Sequence, residues 1–246
     1  MNSNYKFTIQ YDGTRYYGWQ RQPDKNTVQG KIENVLSVMC GKEIEVTGAG
    51  RTDAGVHAKG MAANAFLNTD MSETEIRDYL NRYLPDDIAV SEVKKAGEHF
   101  HARYNATGKT YCYTCFDGDV KPVFQKRYVY MLDEKPDINK MREAAAFLKG
   151  EHDFRNFCVN PRMKKSTVRI VDKIDITHKN GFINFTFHGT GFLQNMVRIM
   201  VGTLLEVGCG RKAVNDVRLS LNLEERAKAG PTAPPQGLCL VSVDYN

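Results

Sequence analysis

The stretch VRIVDKIDITHKNGFINFTFHG, residues 168–189, constrains the fold more than any other part of this chain. Apolar and polar residues alternate on both sides of Asn180-Gly181. That dipeptide tolerates positive φ at both positions, which selects the tight two-residue turn of a β-hairpin. The run therefore predicts two antiparallel strands. A hairpin alone is marginal in water and needs further strands or helices over one face. The rest of the sequence supplies both.

Tyr5, Phe7, Ile9 and Tyr11 alternate with Lys6, Thr8 and Gln10, the period of a half-buried strand. YDGTRYYGWQRQPDKN then reads as a loop punctuated by Gly, Pro and Asn. Thr27 predicts an N-cap for a helix with the stripe Val28, Ile32, Val35, Leu36 and Met39, closed by Gly41. Ser72 and Glu75 predict a capping box for a second helix, stopped by Pro85. EIEVTG, HAKGMAANAFL and IAVSEVKKA read as strands between them. Beyond Ala106, GKTYCYTCF and QKRYVYML alternate like strands, and a helix is expected from Ile138 to Leu148. FLQNMVRIMVGTLLEVG, starting at Phe192, predicts a helix that is apolar almost all round. AVNDVRLSLNLEERAKAG predicts one more helix, and LCLVSVDY a closing strand. The pattern is that of an α+β protein with two sheet-bearing lobes, residues 1–103 and 104–246.

Composition narrows the class without naming a function. Hydrophobic residues make up 41% and charged residues 26%, as in soluble globular proteins. No apolar run approaches the ~20 residues that span a bilayer. The start, MNSNYKFTIQYDG, has no apolar signal core, so the expectation is a cytoplasmic protein. Cys112 and Cys115 have the spacing of a metal or redox pair, but on an alternating strand they point to opposite faces. The six cysteines are thus expected to be structural, and no metal site is predicted. The net charge of +5 is compatible with a polyanionic partner but does not require one.

The candidate chemistry centres on TGAGRTDAGVHAKG, residues 47–60. Asp53 sits there among glycines and alanines, two residues after Arg51. A dinucleotide fingerprint fails because Asp53 takes the place of its third glycine, where a carboxylate would repel pyrophosphate. TGKT, residues 107–110, fails as a phosphate loop because Arg103 replaces the required earlier glycine. A tight turn whose Asp caps a backbone group and a loop presenting one carboxylate both remain open. On the helix from Phe192, residues Gln194, Arg198, Gly202 and Glu206 stand four apart and would share a narrow polar face. That face either meets solvent or, if buried, obliges Arg198 to find a carboxylate. RYYGWQRQPDK interleaves aromatic and basic residues, Arg21 among them, and suits either base stacking or packing into the core.

Taken together, YDGTRYYGWQRQP, TVQGKIENVL, GAGRTDAGVHA, FHARYNATGKTYCY, MVRIMVGTLLEVG and PPQGLCLVSVDY resemble the tRNA pseudouridine synthase A family, in order and from residue 11 to 245. The resemblance implies mainly antiparallel sheets flanked by helices, with an active-site cleft between the lobes. It implies an isomerase that turns uridines at positions 38, 39 and 40 of the tRNA anticodon stem-loop into pseudouridine, without a cofactor, as a homodimer. Asp53 matches the nucleophile, and Arg51 the residue that fills the space of the extruded nucleotide. Tyr111 matches the residue that stacks on the base and takes part in proton removal from C5. Arg198 matches the partner of the Asp, and Leu238 an apolar wall of the pocket. The chain departs from the family pattern at Met61 and Asn64, which stand in the places of a Gln and a His. An RNA-binding helper that does no chemistry is the alternative, but it has no need for Asp53, Tyr111 and Arg198 together. A glycoside hydrolase would call for two acting carboxylates, and this loop supplies one.

Overall fold

The computed structural model describes residues 2–160, 166–221 and 229–246. Contacts divide the chain into two compact units, residues 1–107 with 239–246, and residues 108–238. The first unit holds β1 (Asn2–Tyr11), α1 (Val28–Cys40), β2 (Thr47–Gly48), β3 (His57–Asn68), α2 (Glu73–Tyr83) and β4 (Ile88–Lys95). Most of β5 (Ala106–Phe116) belongs to the second unit, followed by β6 (Tyr130–Met131), α3 (Ile138–Ala146), β7 (Gly150–Asp153), β8 (Val168–Lys179) and β9 (Phe182–Gly189). Helices α4 (Met196–Gly208) and α5 (Val214–Ser220) complete it, and β10 (Leu238–Tyr245) closes the chain.

In the first unit β1 lies between β3 and β4, antiparallel to both. Its inward residues Phe7 and Ile9 are fully buried, as the alternation predicts. The closing strand β10 adds to β3 in parallel, pairing Cys239 with His57 and Leu240 with Ala58. An expected boundary after residue 103 kept that strand with the second lobe. The contacts group residues 239–246 with the first unit. Both helix starts are as predicted. Thr27 Oγ1 accepts from Gly30 N, and Ser72 and Glu75 form the reciprocal capping box. Gly41 ends α1 at φ +65°, a left-handed conformation that glycine adopts without a Cβ penalty.

The EIEVTG run is a strand only at Thr47–Gly48. Ile44 and Val46 are buried as alternation requires, but the backbone around them bonds to side chains of α1 rather than to a strand. Ser37 Oγ accepts from Ile44 N, Glu33 Oε1 from Val46 N, and Gln29 Nε2 donates to the Val46 carbonyl.

In the second unit β9 is flanked by β5 and β8, and β8 by β7, all antiparallel. The hairpin turn has Asn180 at φ +53° and Gly181 at φ +77°, the two positive angles of a type I′ turn. Phe185, Phe187 and Ile183 of β9 are fully buried, and α3 packs on β8, α4 and α5. QKRYVYML is strand only at Tyr130–Met131, after a 3-10 turn at Lys126–Tyr128. The last expected helix starts at Val214 and is helical to Ser220, while residues 222–228 of that expectation lie outside the described residues. The mixed, mainly antiparallel α+β character is the expected one.

Candidate active site

Asp53 lies on the loop between β2 and β3, half-buried between the buried Thr52 and the exposed Ala54, with the exposed Arg51 two residues before it. The residues behind it explain why so many glycines are needed. A Cβ on Gly13 would stand 2.0 Å from the Val56 carbonyl oxygen, and one on Gly18 2.5 Å from that of Thr52. The 11–19 segment therefore presses its backbone directly against the Asp53 loop. Gly18, at φ +86°, also adopts a conformation that side-chain-bearing residues avoid. Trp19 N donates to the Thr52 carbonyl at 3.1 Å, and the Tyr11 hydroxyl lies 2.8 Å from Thr52 Oγ1. Gly55 N donates to the Tyr16 carbonyl, and Val56 N closes a turn onto the Asp53 carbonyl. The carboxylate is thus carried by a short loop braced on one side by main chain.

Gly48 has a second function. A Cβ there would meet Trp19 Nε1 at 2.4 Å, so the missing side chain makes room for the indole, which is 1% exposed. The aromatic–basic loop accordingly resolves residue by residue. Tyr16 and Trp19 face the core, and the Tyr16 hydroxyl donates to Asp87 at 2.6 Å. Burial and that carboxylate push the Tyr16 phenol well above its ordinary pKa. Tyr17 stays exposed, with Lys25 Nζ 4.7 Å from its ring centroid. Arg21 is held by Glu33 and Glu43, each at 3.4 Å, and keeps 56% of its side chain exposed.

In the second unit Tyr111 stands on β5 opposite Phe187, buried, with the Phe192 ring edge-on at 5.3 Å between centroids. Two residues on, Tyr113 donates to the Pro234 carbonyl at 2.7 Å. Burial raises its phenol pKa, and the nearby Arg198 charge opposes that rise.

Arg198 is half-buried on the first turn of α4, which begins at Met196, four residues later than the apolar pattern suggests. Asn195 is the reason. It adopts φ +60°, a left-handed conformation that cannot continue a helix, so Phe192, Leu193 and Gln194 lie outside it. Gln194 is consequently not on the face shared by Arg198, Gly202 and Glu206. Nor does that face simply meet water, because residues 230–233 lie against it. A Cβ on Gly202 would come within 1.9 Å of the Pro231 carbonyl oxygen, and Gly230 N donates to Thr203 Oγ1. Arg198 Nε donates to the Ala233 carbonyl at 2.7 Å, Ala233 N donates back to the Arg198 carbonyl, and Arg198 Nη1 donates to Asn195 Oδ1 at 2.9 Å.

Neither Asn195 nor the Ala233 carbonyl is among the site groups expected from the sequence. Only the tolerance of Asn for positive φ could have flagged the first, and a main-chain oxygen leaves no sequence signal. Leu238 is buried at the start of β10, just after Gly237, whose missing Cβ leaves room for the Tyr113 ring.

Among the described residues no three His, Cys, Asp or Glu side chains gather as a metal site, and no helix is long and apolar enough to cross a membrane. The described cysteines, Cys112 and Cys115 included, are free thiols. Burial pushes the Cys115 thiol far up, which makes it a poor nucleophile.

The chain is 46% identical over 244 residues to tRNA pseudouridine synthase A of Bacillus sp. strain KSM-64, covering 99% of this chain and all of that one. It is 46% identical over 243 residues to tRNA pseudouridine synthase A 1 of Clostridium tetani, covering 98% of this chain and 99% of the relative. For tRNA pseudouridine synthase A of Clostridium kluyveri the identity is 42% over 242 residues, with 98% and 99% covered. The family model described as tRNA pseudouridine synthase matches residues 8–105 and 144–246, which include the Asp53 loop, α4 and β10. Alignment at this extent places the chain in the tRNA pseudouridine synthase family.

Proposed function

We propose that this protein isomerises uridines of tRNA to pseudouridine, with Asp53 as the nucleophile. In that reaction the N1–C1′ bond of uridine breaks and a C5–C1′ bond forms. C5 loses a proton and N1 gains one, so the atoms balance and no oxidation state changes. The reaction asks for an ionised, accurately placed carboxylate rather than a cofactor. The observation that carries the reading is the Asp53 loop, a single carboxylate held by backbone packing that glycines alone permit.

The other residues fill the remaining roles. Arg198 is the cationic partner of Asp53 and keeps the carboxylate charged, as an opposite charge favours the ionised form. The bonds from Arg198 to Ala233 and Asn195 support this by fixing the guanidinium. Arg51, exposed beside Asp53, occupies the stack that the target uridine leaves, an extrusion that costs a few kcal/mol. Tyr111 receives the base on its ring, and Leu238 walls the pocket. Arg21, oriented by Glu33, offers its exposed side to phosphate. The targets are positions 38, 39 and 40 of the anticodon stem-loop. The working form is a cytoplasmic homodimer in which two copies of a +5 chain build a larger basic surface.

The test uses unmodified tRNA carrying tritium at uridine C5, since pseudouridine formation releases that hydrogen. Asp53→Asn and Asp53→Ala are expected to release none while still binding the RNA. Release by Asp53→Ala, or none by the native protein, overturns the reading. Mapping pseudouridine in the product tests the three positions.

A further inference from the structure

The segment between β4 and β5 combines two features that belong together only in a binding element. At its tip Tyr104 is 75% exposed and Arg103 is exposed beside it. Its base is pinned more firmly than a loop on no other duty requires. Asn4 Nδ2 donates to the carbonyls of Gly97 (3.0 Å) and Phe100 (2.8 Å). Asn64 Nδ2 donates to Asn4 Oδ1 at 3.0 Å, and Asn64 Oδ1 accepts from Ala102 N at 2.9 Å. The Tyr245 hydroxyl donates to the Ala102 carbonyl at 2.7 Å. Both asparagines are buried, so each amide is committed to this bracket and would be costly to strand.

The tip is ordered by its own bonds. Asn105 Oδ1 accepts from His101 N at 2.7 Å, and His101 Nδ1 accepts from Arg103 N and Tyr104 N at 3.1 and 3.2 Å. With Nδ1 an acceptor, the neutral imidazole carries its proton on Nε2. The His101 ring backs the Tyr104 ring at 4.2 Å between centroids, tilted by 32°. An exposed aromatic held in one orientation has already lost the freedom that binding would otherwise cost.

Charge identifies the occupant. From His99 to Phe116 the chain has Arg103, Lys109 and two histidines and no acidic residue. The groove at the arm's base, about 420 Å³, has Glu43, Glu45 and Glu98 against Lys42 in its lining, a net acidic balance that makes it a poorer seat for phosphate than the tip. A flat aromatic face beside a guanidinium, in an acid-free stretch, fits an unstacked nucleobase and its phosphate.

We propose that residues 101–105 form an arm that stacks one unpaired nucleobase of the RNA on Tyr104, with Arg103 on the adjoining phosphate, and that Asn64 and Asn4 set the arm's position. This rests on the tRNA-directed function above and adds to it a contact away from Asp53.

The experiment measures the Kd of unmodified tRNA by fluorescence anisotropy across a salt series, with C5 tritium release followed in parallel. Tyr104→Ala is expected to weaken binding on the order of tenfold, the loss of one base–aromatic stack, and Tyr104→Phe to restore it. Arg103→Ala should lower the salt slope by about one. Tyr83→Ala, an exposed tyrosine on α2, should leave Kd unchanged. Asn64→Ala should weaken binding in the native background and cost nothing more in the Tyr104→Ala background, a coupling that a merely structural role would not produce. Native affinity in Tyr104→Ala overturns the arm and leaves the isomerase reading standing. So does an equal loss in Tyr83→Ala, or a loss confined to self-association. Absence of tritium release from a native protein that shows the Tyr104 dependence would overturn the isomerase reading instead.

Discussion

Gly202→Ala sets two well-known effects against each other. In a helix interior, replacing Gly by Ala normally stabilises by about 1 kcal/mol. In α4 the added methyl would stand 1.9 Å from the Pro231 carbonyl oxygen and 2.9 Å from its carbon. Ordinary C···O contact is roughly 3.3 Å, so the 230–233 segment must retreat by about 1.4 Å. The obstacle is backbone on both sides, so no side-chain rotation relieves it. Overpacking of this kind costs about 1–3 kcal/mol. The retreat also strains two bonds at Ala233, one to the Arg198 carbonyl and one from its guanidinium, worth about 1 and 1.5–3 kcal/mol. The steric terms exceed the propensity gain, and the net expectation is a loss of about 2–4 kcal/mol. Urea unfolding followed by circular dichroism measures it. Because the moving segment holds Arg198, single-turnover isomerisation should fall as well, on the order of a hundredfold for a displacement near 1 Å. A variant as stable as the native protein, or more so, would refute the packing argument for the face of α4.

Three further outcomes follow from the same geometry. Gly48→Ala drives a methyl into the Trp19 indole, so the single tryptophan's fluorescence should shift to the red and stability fall by about 1–3 kcal/mol. Asn195→Ala loses both tolerance of φ +60° and the bond to Arg198, whereas Asn195→Gly loses only the bond. Stability should rank native above Gly above Ala, with about 1–2 kcal/mol between the two variants and activity lowered in both. Burial raises the Tyr245 phenol above its ordinary pKa near 10.0, so the folded state favours the protonated form. Its contribution is complete below pH 10 and is lost as pH rises toward the folded value. Tyr245→Phe should therefore lose less stability than the native protein between pH 9 and 11.

The elements that could be read from sequence are those fixed by local chemistry. Thr27, Ser72 with Glu75, Gly41 and Asn180-Gly181 each satisfy or release a backbone group within a few residues, so their effect is written beside them. The misreadings share a longer range. Ile44 and Val46 alternate like a strand, but their backbone partners are side chains of α1. The stretch 192–195 is apolar enough for a helix, yet Asn195 turns left-handed and hands its side chain to Arg198. The parallel seat of β10 on β3 depends on residues some 180 positions apart. At the site, Asp53 and its glycines were visible as a group, but the reason for Gly13, Gly18 and Gly48 lay in what presses against them. Whether Trp19 served RNA or the core could not be read until Gly48 was seen to leave it room.

The most direct test is the pH dependence of single-turnover isomerisation in the native protein and in Arg198→Met. The proposed pairing would hold the carboxylate pKa down, so removing the guanidinium should move the acid limb of the profile upward. Profiles with the same acid limb, differing only in height, would contradict the proposed pairing of Arg198 with Asp53.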